Sequence, residues 1–203
     1  KEKLILQQFG LNQLSRDIEE VLQNYRRSEF RLNLARHKLS LGKRTLVMGI
    51  MNLTPDSFSG DGLDGKSIGT VVEYALRLAK DGADIIDLGG ESSRPGAKSV
   101  LLKDELKRTI PVIKRISRIL KIPISIDTCK PEVARVALDN GASIVNDITG
   151  LRNPVMAKIC ARYKAGVVIM HMKGTPRSMQ KNPVYGSVMG EIIEYLDNAI
   201  QTA

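Results

Sequence analysis

The chain has 203 residues, 42% hydrophobic and 26% charged, with a formal net charge of +9 and aromatics at 4%. That balance is ordinary for a soluble globular chain with one sizeable core. It excludes a membrane span by length of apolar run, and the N-terminus lacks the apolar core of a signal peptide, so a cytoplasmic setting is expected. Cys129 and Cys160 form no CxxC pair and read as buried small apolar groups rather than ligands or a disulfide. The first residue is Lys1, which suggests numbering that begins inside a longer chain. Much of the positive charge falls between Arg26 and Arg44 and between Lys103 and Lys121. A nucleic-acid patch is the functional reading of such clusters, but no nucleic-acid motif accompanies them, so they read as two solvated faces. An anionic small substrate would also suit this charge.

In chain order, residues 12–25 place Leu14, Ile18, Val21 and Leu22 at helical spacing, an amphipathic stripe that should pack on something. Residues 30–41 read as a short hairpin or an extended lead-in. From residue 45 onward strands and helices alternate. Strands are predicted over 45–51, 84–88, 123–126, 143–146 and 166–170. Helices are predicted over 70–80, 103–120, 131–140 and 154–163, with a last one from about 188 that carries Ile192, Ile193, Leu196 and Ile200. Thr70-x-x-Glu73 fits a capping box, Pro111 is expected to kink or restart its helix, and Pro131 and Pro154 suit first helical turns. Gly82 and Gly141 each precede a strand and suit the left-handed end of a helix, and Lys164-Ala165-Gly166 should act similarly.

This alternation implies a parallel sheet and divides the chain into a lead-in extension over 1–44 and an α/β domain over 45–203. An open doubly wound sheet and a closed TIM (β/α)8 barrel compete. Five units at roughly 30 residues each keep the pace of a barrel. No GxGxxG or GxxxxGK[ST] is present to favour a nucleotide-binding open sheet. The expectation is therefore a barrel of which this chain holds about five βα units, with three more beyond Ala203.

All five predicted strands end in polar residues: Asn52; Asp87 with Glu91; Asp127-Thr128; Asn146-Asp147; and His171. In a parallel barrel these ends share one face, where carboxylates, amides and an imidazole would ring a cavity. Singly, each has a plain alternative: Asp127 as a helix cap, Asp147 as a loop support, His171 as a hydrogen-bonded structural histidine, and Asp87 with Glu91 as ion-paired groups. The segments 91–96 (Glu-Ser-Ser-Arg-Pro-Gly) and 171–177, with Lys173 and Arg177, offer cations and hydroxyls suited to an anion. No His/Cys cluster has closed metal-site spacing, whereas Asn52 with oxygen donors nearby could help hold Mg2+ through phosphate oxygens and water.

These motifs resemble the dihydropteroate synthase family of pterin-binding barrels. GIMNLTPDSFSGDG (49–62) is similar to its first-loop signature, DLGGESSRPGA (87–97) to its second, and SIDT (125–128) and VNDITGL (145–151) to its third- and fourth-strand ends. The resemblance runs from about residue 45 to 179. It implies condensation of p-aminobenzoate with 6-hydroxymethyl-7,8-dihydropterin pyrophosphate in folate biosynthesis, with Mg2+ as cofactor and sulfonamides as ligands of the site. It implies a homodimer, and neither a nucleic acid nor a membrane as partner. On that footing Asn52 assists the metal, and Asp127 and Asn146 hold the pterin and serve catalysis together with Arg94. Ser93, Thr54 and Asp61 contact substrate. Two departures stand out: Ser59-Gly60-Asp61-Gly62 shifts a carboxylate by one position, and Ser93 replaces a threonine. The chain also stops before the family's Asp-Pro-Gly segment, lysine-bearing loop and Arg-x-His terminus. A corrinoid-type pterin-binding methyltransferase and a non-catalytic pterin-binding half-barrel are the alternatives.

Overall fold

The computed structural model describes residues 11–54, 67–92, 99–176 and 178–203. They divide into two compact units, one lying within residues 1–32 and 39–45 and one within 33–38 and 46–203. The smaller unit contains helix α1 (Asn12–Arg26). Strands β1 (Phe30–Asn33) and β2 (Lys38–Leu41) pair as a two-stranded sheet. In α1 the expected apolar stripe is only partly covered, since Leu14 and Val21 remain exposed.

The larger unit carries five strands, β3 (Met48–Asn52), β4 (Ile85–Gly89), β5 (Ile124–Asp127), β6 (Ile144–Asp147) and β7 (Gly166–Ile169). Between and after them come α2 (Ile68–Lys80), α3 (Leu102–Ile116), α4 (Pro131–Asp139), α5 (Pro154–Tyr163) and α6 (Val188–Thr202). The strands are parallel and lie in the order β3-β4-β5-β6-β7. A doubly wound sheet reverses order at a switch point. Here each strand pairs with the next in sequence, which is the progression of a (β/α)8 barrel, and the unit lays out five of its βα repeats.

The strands alternate their side chains between two faces. Met51, Leu88, Ile126 and Val145 occupy neighbouring register positions. All four are fully buried in one core with Val71 and Ala75 of α2, Val112 and Ile113 of α3, Val133 and Ala137 of α4 and Met156 of α5. Each large aliphatic side chain so buried contributes about 1.5–3 kcal/mol, so this layer between strands and helices fixes the sheet. Residues 33–38 belong to this unit: Leu34 is buried, the Ala35 N–H donates to the Lys164 carbonyl over 3.1 Å, and His37 Nδ1 lies 3.2 Å from Ser143 Oγ.

Several local signals resolve differently from the sequence reading. Helix α2 starts earlier than expected, because Ser67 rather than Thr70 is its cap: Ser67 Oγ accepts from the Thr70 N–H over 3.2 Å. Helix α3 runs through Pro111 without a restart and ends at Ile116, followed by a tighter turn to Leu120. Gly82 and Gly141 do take positive φ, +107° and +114°. At the third joint the left-handed residue is Lys164, at φ 49°, not a glycine.

Candidate active site

The barrel register assembles the site. Asn52 on β3 pairs with Gly89 on β4, Gly89 with Asp127 on β5, and Asp127 with Asn146 on β6. Three polar side chains and one bare glycine thus form a single row across the C-terminal ends of four adjacent strands. This is the end at which barrels of this class build their sites. A Cβ at Gly89 would fit in ordinary contact, 3.6 Å from both Asn52 Oδ1 and Asp127 Oδ2. Its absence leaves open space between the amide and the carboxylate.

One layer further in, Asp87 of β4 faces Ser125 of β5 in register. Asp87 is 5% exposed, and its Oδ2 accepts from Asn146 Nδ2 over 3.2 Å. Asp87 Oδ1 and Ser125 Oγ are both buried without a hydrogen-bond partner. Burial pushes the Asp87 carboxyl above the usual carboxylate range, and the nearby Ser125 hydroxyl and Asn146 amide offset this only in part. Asp127 is pushed further, to about 8, first by burial and then by the charges of Asp87, Glu105, Asp147 and Glu91. The mouth is a concentration of acceptors that would favour a ligand edge rich in N–H donors.

A second layer of polar contacts holds the turn after β5. Glu105 of α3 is fully buried, yet both its oxygens are engaged. Oε1 accepts from Thr128 Oγ1 over 2.6 Å and Oε2 from Lys130 Nζ over 2.5 Å. The Lys130 ammonium also donates to Glu91 Oε2, and its backbone N–H donates to Thr128 Oγ1 over 3.2 Å. Burial pulls the Lys130 ammonium down, but the bonds to Glu105 and Glu91 outweigh it and hold its pKa above the ordinary value. Gly90 is required beside this cluster, since a Cβ there would lie 2.7 Å from Thr109 Cγ2 and 3.0 Å from Glu105 Cγ. Glu91, Ser92, Glu105, Asp127, Thr128, Cys129, Ile148 and Pro176 line the small cavity at the mouth.

Asp147 supports its loop instead of facing a ligand. It is fully buried, its Oδ1 accepts from the Thr149 N–H and hydroxyl over 2.8 and 2.7 Å, and its Oδ2 accepts from the Leu151 N–H over 3.0 Å. His171 stays out of the polar row; its ring meets Tyr195 edge-on at 5.0 Å between centroids. Lys173 is already engaged, 2.6 Å from Glu191 Oε2 and bonded to the Val184 carbonyl. Glu91 finds its ion pair in Lys130, whereas Asp87 is held by an amide. Thr54 is buried just past β3. Ser93, Arg94, Asp61 and Arg177 lie outside the described residues.

Sequence reading missed Glu105 and Lys130. A glutamate in the first turn of an amphipathic helix reads as a solvated partner of the helix dipole, and Lys130 reads as filler before Pro131. The only usable signal was Thr128, whose buried hydroxyl needs an acceptor. For Mg2+, no group of three or more His, Cys, Asp or Glu side chains among the described residues could hold a metal ion. Asn52 offers one amide oxygen, of a kind that suits an ion carried largely on substrate oxygens and water.

The family described as pterin binding enzyme matches residues 48–203. Among curated proteins, the dihydropteroate synthase of Synechocystis is 48% identical over 80% of this chain and 56% of its own length. That of Escherichia coli is 46% identical over 73% of this chain and 52% of its own. Among solved structures, the Yersinia pestis dihydropteroate synthase with a sulfonamide drug complex superposes with a TM-score of 0.79 at 37% identity, over 85% of this chain and 62% of that one. The Burkholderia cenocepacia enzyme complexed with 7,8-dihydropteroate gives 0.72 at 40% identity, over 84% and 57%. The chain spans about half the length of the curated relatives it matches.

Proposed function

Because this chain belongs to the pterin-binding enzyme family, we propose that it supplies the pterin-binding half of a dihydropteroate synthase site. The reaction joins p-aminobenzoate to 6-hydroxymethyl-7,8-dihydropterin pyrophosphate, giving 7,8-dihydropteroate and pyrophosphate. The observation that carries this reading is the row Asn52–Gly89–Asp127–Asn146 across four strand ends. It sets acceptors that would suit a pterin's N–H edge in one row with an amide oxygen that would suit a phosphate-borne cation.

In the condensation a C–N bond forms between the pterin methylene and the arylamine while the C–O bond to pyrophosphate breaks, and the amine then releases a proton. Departure of pyrophosphate spreads positive charge over the methylene and the ring. Asp127 accepts from the ring N–H groups and stabilises that charge where it develops. Asn146 fixes the orientation of the ring. A neutral arylamine needs positioning more than a general base, which the segment carrying Ser93 and Arg94 is proposed to provide together with Thr54 and Asp61. Mg2+, bound through Asn52 and phosphate oxygens, would offset the charge of the leaving group. The two free cysteines are in keeping with a cytoplasmic setting, and a homodimer is the assembly we propose.

The test is to incubate the intact protein with both substrates and Mg2+ and to follow dihydropteroate by mass-resolved chromatography. Product is expected, and its yield should fall by about tenfold or more in Asn146→Ala, which removes an amide contact made to the ring. Pterin binding without product would favour the non-catalytic reading.

A further inference from the structure

Asp87 is a buried carboxyl that the proposed reaction does not use. It lies one layer below the row that would hold the ligand, beside Asn146, and makes no ion pair among the described residues. Its Oδ2 accepts a hydrogen bond from the amide nitrogen of Asn146, and the Ser125 hydroxyl opposite it in register also favours its charge. An asparagine side chain has one donor end and one acceptor end, and which end faces a ligand decides what the ligand must offer. With Nδ2 turned down toward Asp87 Oδ2, the carbonyl Oδ1 is left for the cavity.

We infer that Asp87 is a positioning residue for specificity: by engaging the amide nitrogen of Asn146 it presents the Asn146 oxygen to the ligand. Asn146 and Asp127 then form an acceptor pair that selects a ring edge with adjacent N–H donors, such as the 2-amino and ring N–H of a pterin. The arrangement does not depend on the protonation state of Asp87. A proton on Oδ1, the oxygen on the otherwise unpartnered side, leaves Oδ2 an acceptor. Either way the amide nitrogen remains occupied from below. An analogue that lacks the 2-amino group would leave one acceptor of the pair unmet in a buried setting, and such sites discriminate strongly.

This inference rests on the pterin reading above, and the test separates the two. The intact protein is titrated with 6-hydroxymethylpterin and with its 2-deamino analogue, as wild type, Asp87→Leu and the double swap Asp87→Asn/Asn146→Asp, with a thermal melt for each. All three are close in shape. The wild type should prefer the amino compound by about tenfold or more. Asp87→Leu removes the acceptor, so the Asn146 amide is no longer held one way round, and the preference should fall to about threefold or less. The double swap keeps the match with the roles reversed, since residue 87 then donates and residue 146 keeps an oxygen for the ligand, so the preference should be retained. A general structural role for Asp87 would move the melts without moving this ratio. Preference retained in Asp87→Leu, or lost in a double swap that melts like wild type, would overturn the inference. If Asp87→Leu does not fold, the double swap alone decides. A wild type that binds neither compound would overturn the pterin reading, and this inference with it.

Discussion

Asp127 sets stability against binding. Its carboxyl holds a proton up to about pH 8 in the folded chain, against an ordinary value of 3.8, because burial and four neighbouring carboxyls disfavour its charge. Between those two values the native state binds more protons than the unfolded one. Stability therefore falls as pH rises from about 4 to about 8 and levels off above. The Asp127→Asn variant removes the charge and keeps the shape. Its melting temperature should exceed that of wild type at pH 9, with the gap closing toward pH 4. Measured at pH 9, where the wild-type carboxyl is ionised, its pterin affinity should be weaker by about 1.5–3 kcal/mol, the loss of a charged hydrogen bond. Melting curves at the two pH values and a pterin titration check both halves. Equal melting at pH 9 would mean that the charge is not disfavoured there, and unchanged affinity would remove Asp127 from the pocket. A site residue that destabilises its own fold is what an acceptor built for a donor-rich ligand implies.

At the scale of elements, the joint between α3 and the turn after β5 depends on a half-buried Lys130 that is shared by Glu105 and Glu91. Glu105 has no exposure, so its charge relies on Lys130. Lys130→Met leaves that carboxylate uncompensated and should destabilise the chain by about 3–5 kcal/mol. Adding Glu105→Gln to the same chain removes the stranded charge while keeping an acceptor for Thr128, so the double variant should be the more stable of the two. Denaturant melts of wild type, both single variants and the double test this, and a double variant no better than Lys130→Met would refute the charge-pair account. The same joint shows what could be read from the sequence. Asn52, Asp127 and Asn146 were legible because a polar residue that closes a short β-rich apolar run has few places to go except the end of the strand. The βα rhythm was legible for the same reason. Glu105 was not, since its role depends on which helix face packs on the turn after β5, and a helix pattern does not specify the neighbour. At Pro111 the restart is absent: local propensity disfavours that turn, but Val112, Ile113 and Ile116 are all buried beyond it and hold the last turn in the helix. Ser67 was overlooked as a cap because Thr70-x-x-Glu73 offered a more complete local motif three residues later.

For the whole molecule, the described sheet has two outer strands. β3 pairs only with β4, and β7 only with β6. Their outer edges carry unpaired backbone donors and acceptors. Apolar side chains accompany them: Ile50 on β3 is 61% exposed, Val168 on β7 38%, and Met189, Ile193 and Ile200 on α6 each at least 60%. Such surface seldom stays in water when a partner edge is available. Expressed as this 203-residue polypeptide, the protein should therefore associate through β3, β7 or both, eluting from a sizing column above its 22.4 kDa mass in a concentration-dependent way. Light scattering on the eluted peak would give the mass, and hydrogen exchange would locate the contact by slowed amides in β3 or β7 relative to dilute protein. Lysine in place of Ile50 and Val168 should reduce the association, because charge on an edge strand opposes pairing. A monomer at all concentrations that unfolds in one cooperative step would show that the helix-covered face alone stabilises five βα units. In that event the row at the strand ends would be open to ligand from the side as well as from the barrel mouth.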